Sequence, residues 1–235
     1  MLPMQTLPVY SLTIPSTGKK IKFNPWLVKQ EKALLIAQQS EDKEVMVSTL
    51  KQVITSCVLD KIDIDSFSTF DMEYVFTQIR SKSVGEEVDL IFKCKYCDDP
   101  KAKLKVTFDI SKIEVVTPEN HTKKIQLFDN VGVMMKYPTI ESINTIDKSG
   151  SDIDLIFKII AECVDYIYDD EQIYHSSDMT SEDIDAFLSH LKSEQFVKLE
   201  EFFDTMPKMR HEVNYNCPVC GEKNTVVLEG MTSFF

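Results

Sequence analysis

Glycine is scarce in this 235-residue chain, with six in all, and none of them stands in a phosphate-cradling loop pattern. Histidine is scarcer still, at four. His121, His175, His190 and His211 are scattered, and no Ser/His/Asp or Cys/His catalytic set forms at a recognisable motif. The acidic run Asp60-Lys61-Ile62-Asp63-Ile64-Asp65 has neither the central glycine nor the spacing of a calcium loop. No uninterrupted apolar run reaches the ~18 residues of a membrane span. The first residues, Met1-Leu2-Pro3-Met4-Gln5, lack the basic region and apolar core of a secretion signal. The expectation is a protein that is not an enzyme and has no membrane segment. Its synthesis is expected in the cytoplasm, where thiols stay reduced and paired cysteines favour metal over disulfide.

Charge is present but uneven. The net charge is −12. Between Asp147 and Asp204 sixteen acids face four lysines, and the rest of the chain is balanced. Such a surface repels phosphate backbones; a basic partner or simple solubility accounts for it equally well.

Period-two alternation at Val9–Pro15 and Ile21–Phe23, around Ser16-Thr17-Gly18-Lys19, predicts a hairpin. Asn24-Pro25 reads as a helix start, leading into a heavily apolar helix over 25–39 that is expected to be buried on most sides. A second helix is expected from Ser40, with Met46, Leu50, Val53, Ile54 and Cys57 inward. A third starts at Ser68 or Thr69, with Met72, Val75, Phe76 and Ile79 inward. Alternation returns before Cys94 and resumes at Leu104, Val106 and Phe108, which predicts a second hairpin. Short strands are expected at Ile125–Leu127 and Val133–Met135. The acidic segment reads as helical throughout, with Ile153, Ile156, Ile160, Val164 and Ile167 on one face and a cap at Thr180/Asp183. Val213 and Tyr215 lead into a last hairpin. The expected fold is α+β, a mostly helical body with short β-hairpins. Its expected parts are an N-terminal hairpin and helical bundle (1–85), a knuckle subdomain from two hairpins (86–110 and 210–230), and an acidic, mainly helical lobe (111–209).

The six cysteines carry the chemistry. Cys94/Cys97 and Cys217/Cys220 are each spaced by two residues, which lets both sulfurs of a pair face one point. Gly221 supplies a left-handed turn after the second pair; Asp98 stands at the equivalent place after the first and tolerates that conformation better than most residues. Four cysteines suit one zinc ion, and with no position left for water or substrate the site reads as structural. Cys97 and Cys217 are 120 positions apart, so a shared ion closes a large loop and clips the ends of the chain together. Redox cysteines, or two separate disulfides, are the alternative, but strand-like residues flank both pairs where a redox motif opens a helix. Cys57 and Cys163 fall on apolar helix faces and read as small buried hydrophobes. Lys93, Lys95, Lys101, Lys103 and Lys105 form a basic strip. A water-facing strand explains the strip, and a zinc-ribbon nucleic-acid-binding regulator is the competing reading.

The order of features is familiar: an N-terminal "LPVYSLTIPSTGKKIKFNPWLVKQEKALLIA", then "FDMEYVFTQIRSKSVGEEVDLIFKCKYC", then a terminal "YNCPVCGEKNTVVLEGMTSFF". This resembles the baseplate hub family of T-even-type tailed phages, which includes the hub subunit and the related hub assembly protein. The resemblance spans nearly the whole chain and is strongest over 25–37 and 70–97. It implies a late phage tail morphogenesis protein without catalytic residues, acting as an assembly chaperone or a minor hub subunit. Its implied partners are other baseplate hub proteins, in the host cytoplasm during assembly or in the virion, with self-association left open. Phe234 and Phe235 at the end of the chain are candidates to dock into a partner or a neighbouring copy, or else to pack back on the chain's own core.

Overall fold

The structure is a computed structural model, and residues 5–146 and 151–230 are described. The sequence-predicted docking pair Phe234 and Phe235 lies outside the described residues. Two compact units divide the chain. One gathers the chain up to Ile64, Phe70–Val116 and the stretch from Lys208; the other gathers Asp65–Thr69 and Thr117–Pro207.

The first unit begins with an antiparallel hairpin, β1 (Tyr10–Thr13) and β2 (Lys20–Phe23). Three helices follow: α1 (Val28–Ser40), α2 (Lys43–Cys57) and α3 (Thr69–Ser83). Apolar residues at helical spacing bury Leu50, Val53, Ile54 and Cys57 on α2, and Met72, Val75, Phe76 and Ile79 on α3. The α2 start is set by Asp42, whose carboxylate accepts from the Glu44 and Val45 N–H groups at 2.8 and 3.3 Å. Ser40 instead closes α1, its hydroxyl donating to the Ala37 carbonyl. α1 departs from expectation in two ways. It starts at Val28, where the Gln30 side-chain oxygen accepts the Leu27 N–H at 3.2 Å, and the Asn24 side chain instead donates to the Pro8 carbonyl at 2.7 Å. It is also open to solvent: only Ala37 is buried, and Leu35 and Ile36 are 53% and 56% exposed.

The rest of this unit is built from strands. β3 (Glu87–Lys93) pairs antiparallel with β4 (Lys103–Asp109). β10 (Lys208–Asn216) pairs with β11 (Lys223–Glu229) and with the short β5 (Glu114–Val116). Alternate residues of the β3–β4 hairpin, among them Val88, Leu90, Phe92, Leu104, Val106 and Phe108, pack on a core of Ile110, Ile113, Met209, Val213, Tyr215 and Leu228. Each fully buried side chain of this size contributes about 1.5–3 kcal/mol. Phe92 stacks on Tyr215 with ring centroids 5.7 Å apart, and Phe108 stacks on His211 at 5.3 Å. These cross-hairpin contacts lay one hairpin against the other in parallel registration.

The second unit holds a four-stranded antiparallel sheet in the order β6 (Lys124–Phe128), β7 (Val131–Met135), β8 (Val164–Tyr168), β9 (Ile173–His175). The short helix α4 (Ile140–Thr145) precedes α5 (Asp152–Glu162), α6 (Ser181–Ser189) and α7 (Ser193–Thr205), and residues of the last three join the sheet in one core around Val133, Ile160, Val164, Leu188, Leu199 and Phe202. Thr180 and Asp183 cap α6 reciprocally, as their spacing predicts.

The mostly helical body is therefore corrected. Helix covers 39% of the structure and strand 28%, in four multi-stranded sheets. The acidic segment is the largest departure. Val164 and Ile167 continue the helical spacing of Ile153, Ile156 and Ile160, yet α5 stops at Glu162 and the chain turns into β8. The Val164-Asp165-Tyr166-Ile167-Tyr168 run is rich in β-branched and aromatic side chains and finds a ready edge in β7, with Val133 opposite Ile167. Ile153 and Ile156, expected inward, are 66% and 42% exposed.

Candidate metal centre

The cross-hairpin packing sets the tips of β3–β4 and β10–β11 side by side. The four knuckle cysteines, Cys94, Cys97, Cys217 and Cys220, meet there with all sulfurs within 4.8 Å of one another. Between the pairs, Cys94 lies 3.7 Å from Cys220 and Cys97 lies 3.8 Å from Cys217. All four are free thiols. A tetrahedron of sulfurs at the usual ~2.3 Å from zinc has edges of about 3.8 Å. The donor set and its spacing thus fit zinc, and no carboxylate or histidine joins the group among the described residues.

The two knuckles reach this geometry differently. In the second, Gly221 takes φ +77°, its N–H donates to the Cys217 carbonyl at 3.0 Å, and the Cys217 N–H donates to Glu222 at 2.9 Å. A Cβ on Gly221 would meet nothing, so the requirement there is backbone freedom rather than space. In the first, Asp98 does not take the left-handed conformation, since Glu41 and Asp129 are the non-glycine residues with positive φ among those described. Asp99 does the work instead. Its carboxylate accepts from Lys101 N–H at 2.7 Å and its carbonyl from Ala102 N–H at 2.9 Å, while the Cys94 N–H donates to the Ala102 carbonyl at 2.9 Å.

Donors converge on two of the sulfurs. The Tyr96 N–H reaches Cys94 Sγ at 3.3 Å; the Val219 and Cys220 N–H groups reach Cys217 Sγ at 3.4 and 3.5 Å. Burial opposes ionisation of Cys94, but these bonds, with Asn224, outweigh it and hold the thiol at about 6. Cys217 is lowered likewise, first by the Cys220 N–H. Burial and the Cys220 sulfur push Cys97 up to about 12. Hydrogen bonding thus favours the ionised form at Cys94 and Cys217 while burial and the neighbouring sulfur oppose it at Cys97, and a bound dication would favour the ionised form at all four.

Asn224 is the residue that sequence reasoning missed. It is fully buried. Its side-chain oxygen accepts from the Lys95 N–H at 3.0 Å, and its amide donates to the Glu222 carbonyl at 3.0 Å and to Cys94 Sγ at 3.5 Å. Tyr215 adds a second tie, its hydroxyl donating to the Lys93 carbonyl at 2.7 Å. Lys95, next to Cys94, directs its amine to the Thr225 carbonyl at 3.0 Å. Nothing in the spacing marks Asn224, which alternates like any strand residue.

The remaining cysteines stand apart. Cys57 and Cys163 are buried, and burial raises both thiols, Cys163 to about 12. His211 stacks on Phe108 rather than joining the sulfurs. No described helix is long and apolar enough to cross a membrane.

Compared with known families, residues 7–235 match the model of the family described as T4 bacteriophage base plate protein. No curated protein and no solved structure matches the chain.

Proposed function

The chain belongs to the T4 bacteriophage base plate protein family, and we propose that within it the protein works in hub morphogenesis, as an assembly chaperone for the hub or as a minor hub subunit. Its work is protein–protein contact rather than catalysis. Assembly assistance is the favoured role: a partner's surface is held until the correct neighbour displaces it. The family match over 7–235 carries this reading. The partners are other baseplate proteins of the same phage, met in the host cytoplasm.

The four cysteines would hold one structural zinc ion. Bound there, zinc supplies cross-linking and neutralises thiolate charge. The chain's own residues orient the sulfurs, satisfy them with N–H donors, and leave no protein-free position for a substrate. The clasp joins β3–β4 to β10–β11.

Quantitative mass spectrometry of purified particles beside infected-cell lysate tests the role. Presence in lysate with absence from particles supports the chaperone. A fixed copy number in particles supports the subunit. Absence of any baseplate defect on deleting the gene would remove both.

A further inference from the structure

One residue from each of two acidic runs, Asp169 of Asp169-Asp170-Glu171 and Asp183 of Glu182-Asp183, lines the same apolar hollow in the second unit. The hollow has a volume of about 350 Å³, and Asp169 and Asp183 both line it. Its walls are Phe128, Val131, Tyr168, Tyr174, Met179 and Phe187. Phe128 and Tyr174 are each 38% exposed at the lip. Both rim carboxylates are fixed and ionised. Asp169 accepts from the Gln172 and Glu171 N–H groups, each at 2.8 Å, and from the Tyr174 hydroxyl at 3.0 Å. Asp183 accepts from the Thr180 N–H at 3.0 Å and hydroxyl at 2.9 Å. No lysine or arginine lines the hollow; Lys124 stands 4.6 Å over the Tyr168 ring, and Lys198 donates to the Gln126 and Leu127 carbonyls. A concave aromatic surface with an anionic rim selects an apolar anchor flanked by cations.

The first unit carries such an anchor. On the outward face of β3–β4, Ile91 is 69% exposed. Lys105 lies directly opposite it, and Lys93 and Lys103 form the next cross-strand pair. Asp89 on the same face pairs with Lys105 at 2.7 Å, and the Glu87/Asp109 pair lies two pairs beyond Ile91, at the far end of the hairpin from Lys93 and Lys103. The inward face of this hairpin is used by the unit's core; the outward face has no described partner for Ile91.

We infer that the occupant of the hollow is a second copy of this chain, whose Ile91 and flanking lysines seat against the aromatic walls and acidic rim. The contact uses two different surfaces on each copy, so it is heterologous and propagates head to tail into rings or short chains. It rests on these two surfaces and not on the role proposed above.

The test is analytical ultracentrifugation of the full chain, with zinc present, at about 50 and 300 mM salt. The expected result is association beyond the monomer at about 100 µM, a concentration that populates even weak complexes, with an affinity at least tenfold lower at the higher salt. Two variants, Ile91→Glu/Lys103→Glu and Phe128→Lys, are each expected to weaken self-association at least about tenfold. Mixed together they should form dimers and stop there, because one intact hairpin then faces one intact hollow. Circular dichroism checks folding, and Tyr174→Lys replaces Phe128→Lys should that variant unfold. A monomer under all conditions overturns the inference. So does an oligomer unaffected by both variants, or hollow-directed crosslinks to another protein while the chain alone stays monomeric.

Discussion

Asn224 and Lys95 are 129 positions apart, and the Asn224 side-chain oxygen accepts the Lys95 backbone N–H at 3.0 Å. With its amide on Cys94 Sγ and on the Glu222 carbonyl, this one buried side chain ties the tip of one hairpin to the other. Apart from the sulfurs themselves, it is a direct side-chain link between the two knuckles.

Replacing Asn224 should therefore weaken both folding and metal binding. Asn224→Ala removes three hydrogen bonds made by a fully buried side chain, which costs about 1–3 kcal/mol. Loss of a hydrogen bond to a metal ligand typically costs about 10–100-fold in affinity. Thermal unfolding and competition with a chromophoric chelator measure the two. If both are unchanged, the tie is not structural.

Zinc removal should be felt locally first. Elemental analysis should give one zinc per chain, and Cys220→Ser should lower both metal content and melting temperature. Stripping the metal should speed hydrogen exchange in 90–104 and 215–226, while the separate core around Val133 and Leu199 stays protected. Equal loss of protection in both regions would contradict a local clasp.

His121 predicts a pH dependence. Its ring nitrogens lie 3.1 Å from the Thr205 hydroxyl and 3.0 Å from the Tyr137 hydroxyl, and it packs against Tyr137 and Phe202. Burial, then the Lys123 charge, lowers its pKa. The folded state thus prefers the neutral ring. Its stabilisation is complete above the ordinary histidine value of about 6.5 and declines as pH falls below it. The melting temperature should drop between pH 7.5 and 5.5, and His121→Gln should flatten that slope. A variant with the wild-type slope would assign the effect elsewhere.

Gly132 predicts a steric limit. A Cβ there would lie 2.5 Å from the Ile125 carbonyl oxygen and 2.2 Å from the Tyr168 hydroxyl. Gly132→Ala should destabilise the second unit by about 1–3 kcal/mol. Tyr168→Ala should recover only part of that, because the carbonyl cannot move without disturbing the β6–β7 pairing. Denaturant titration of the single and double variants decides it.

Much of this was legible from residue pattern. The hairpin at Tyr10–Phe23, the inward faces of α2 and α3, and the capped start of α6 follow from spacing and capping chemistry, which act within a few residues. The acidic segment was not legible in the same way. Val164 and Ile167 satisfy helical and strand periods alike, and the choice fell to an unpaired edge of β7. Nor could α1 be judged: its apolar run reads as core, but whether Leu35 and Ile36 are covered depends on what packs over them.

The sequence by itself determined the donor chemistry, because two Cys-x-x-Cys pairs supply four sulfurs and no other donor stands at a matching spacing. It also determined where the acidity lies. Only the tertiary structure decided that the pairs meet, how Asp99 rather than Asp98 closes the first knuckle, and that Asn224 joins them. Those outcomes depend on side chains more than a hundred positions apart being stacked face to face by Phe92 on Tyr215 and Phe108 on His211. No local rule encodes such long-range packing, which appears only once both hairpins bury their apolar faces together.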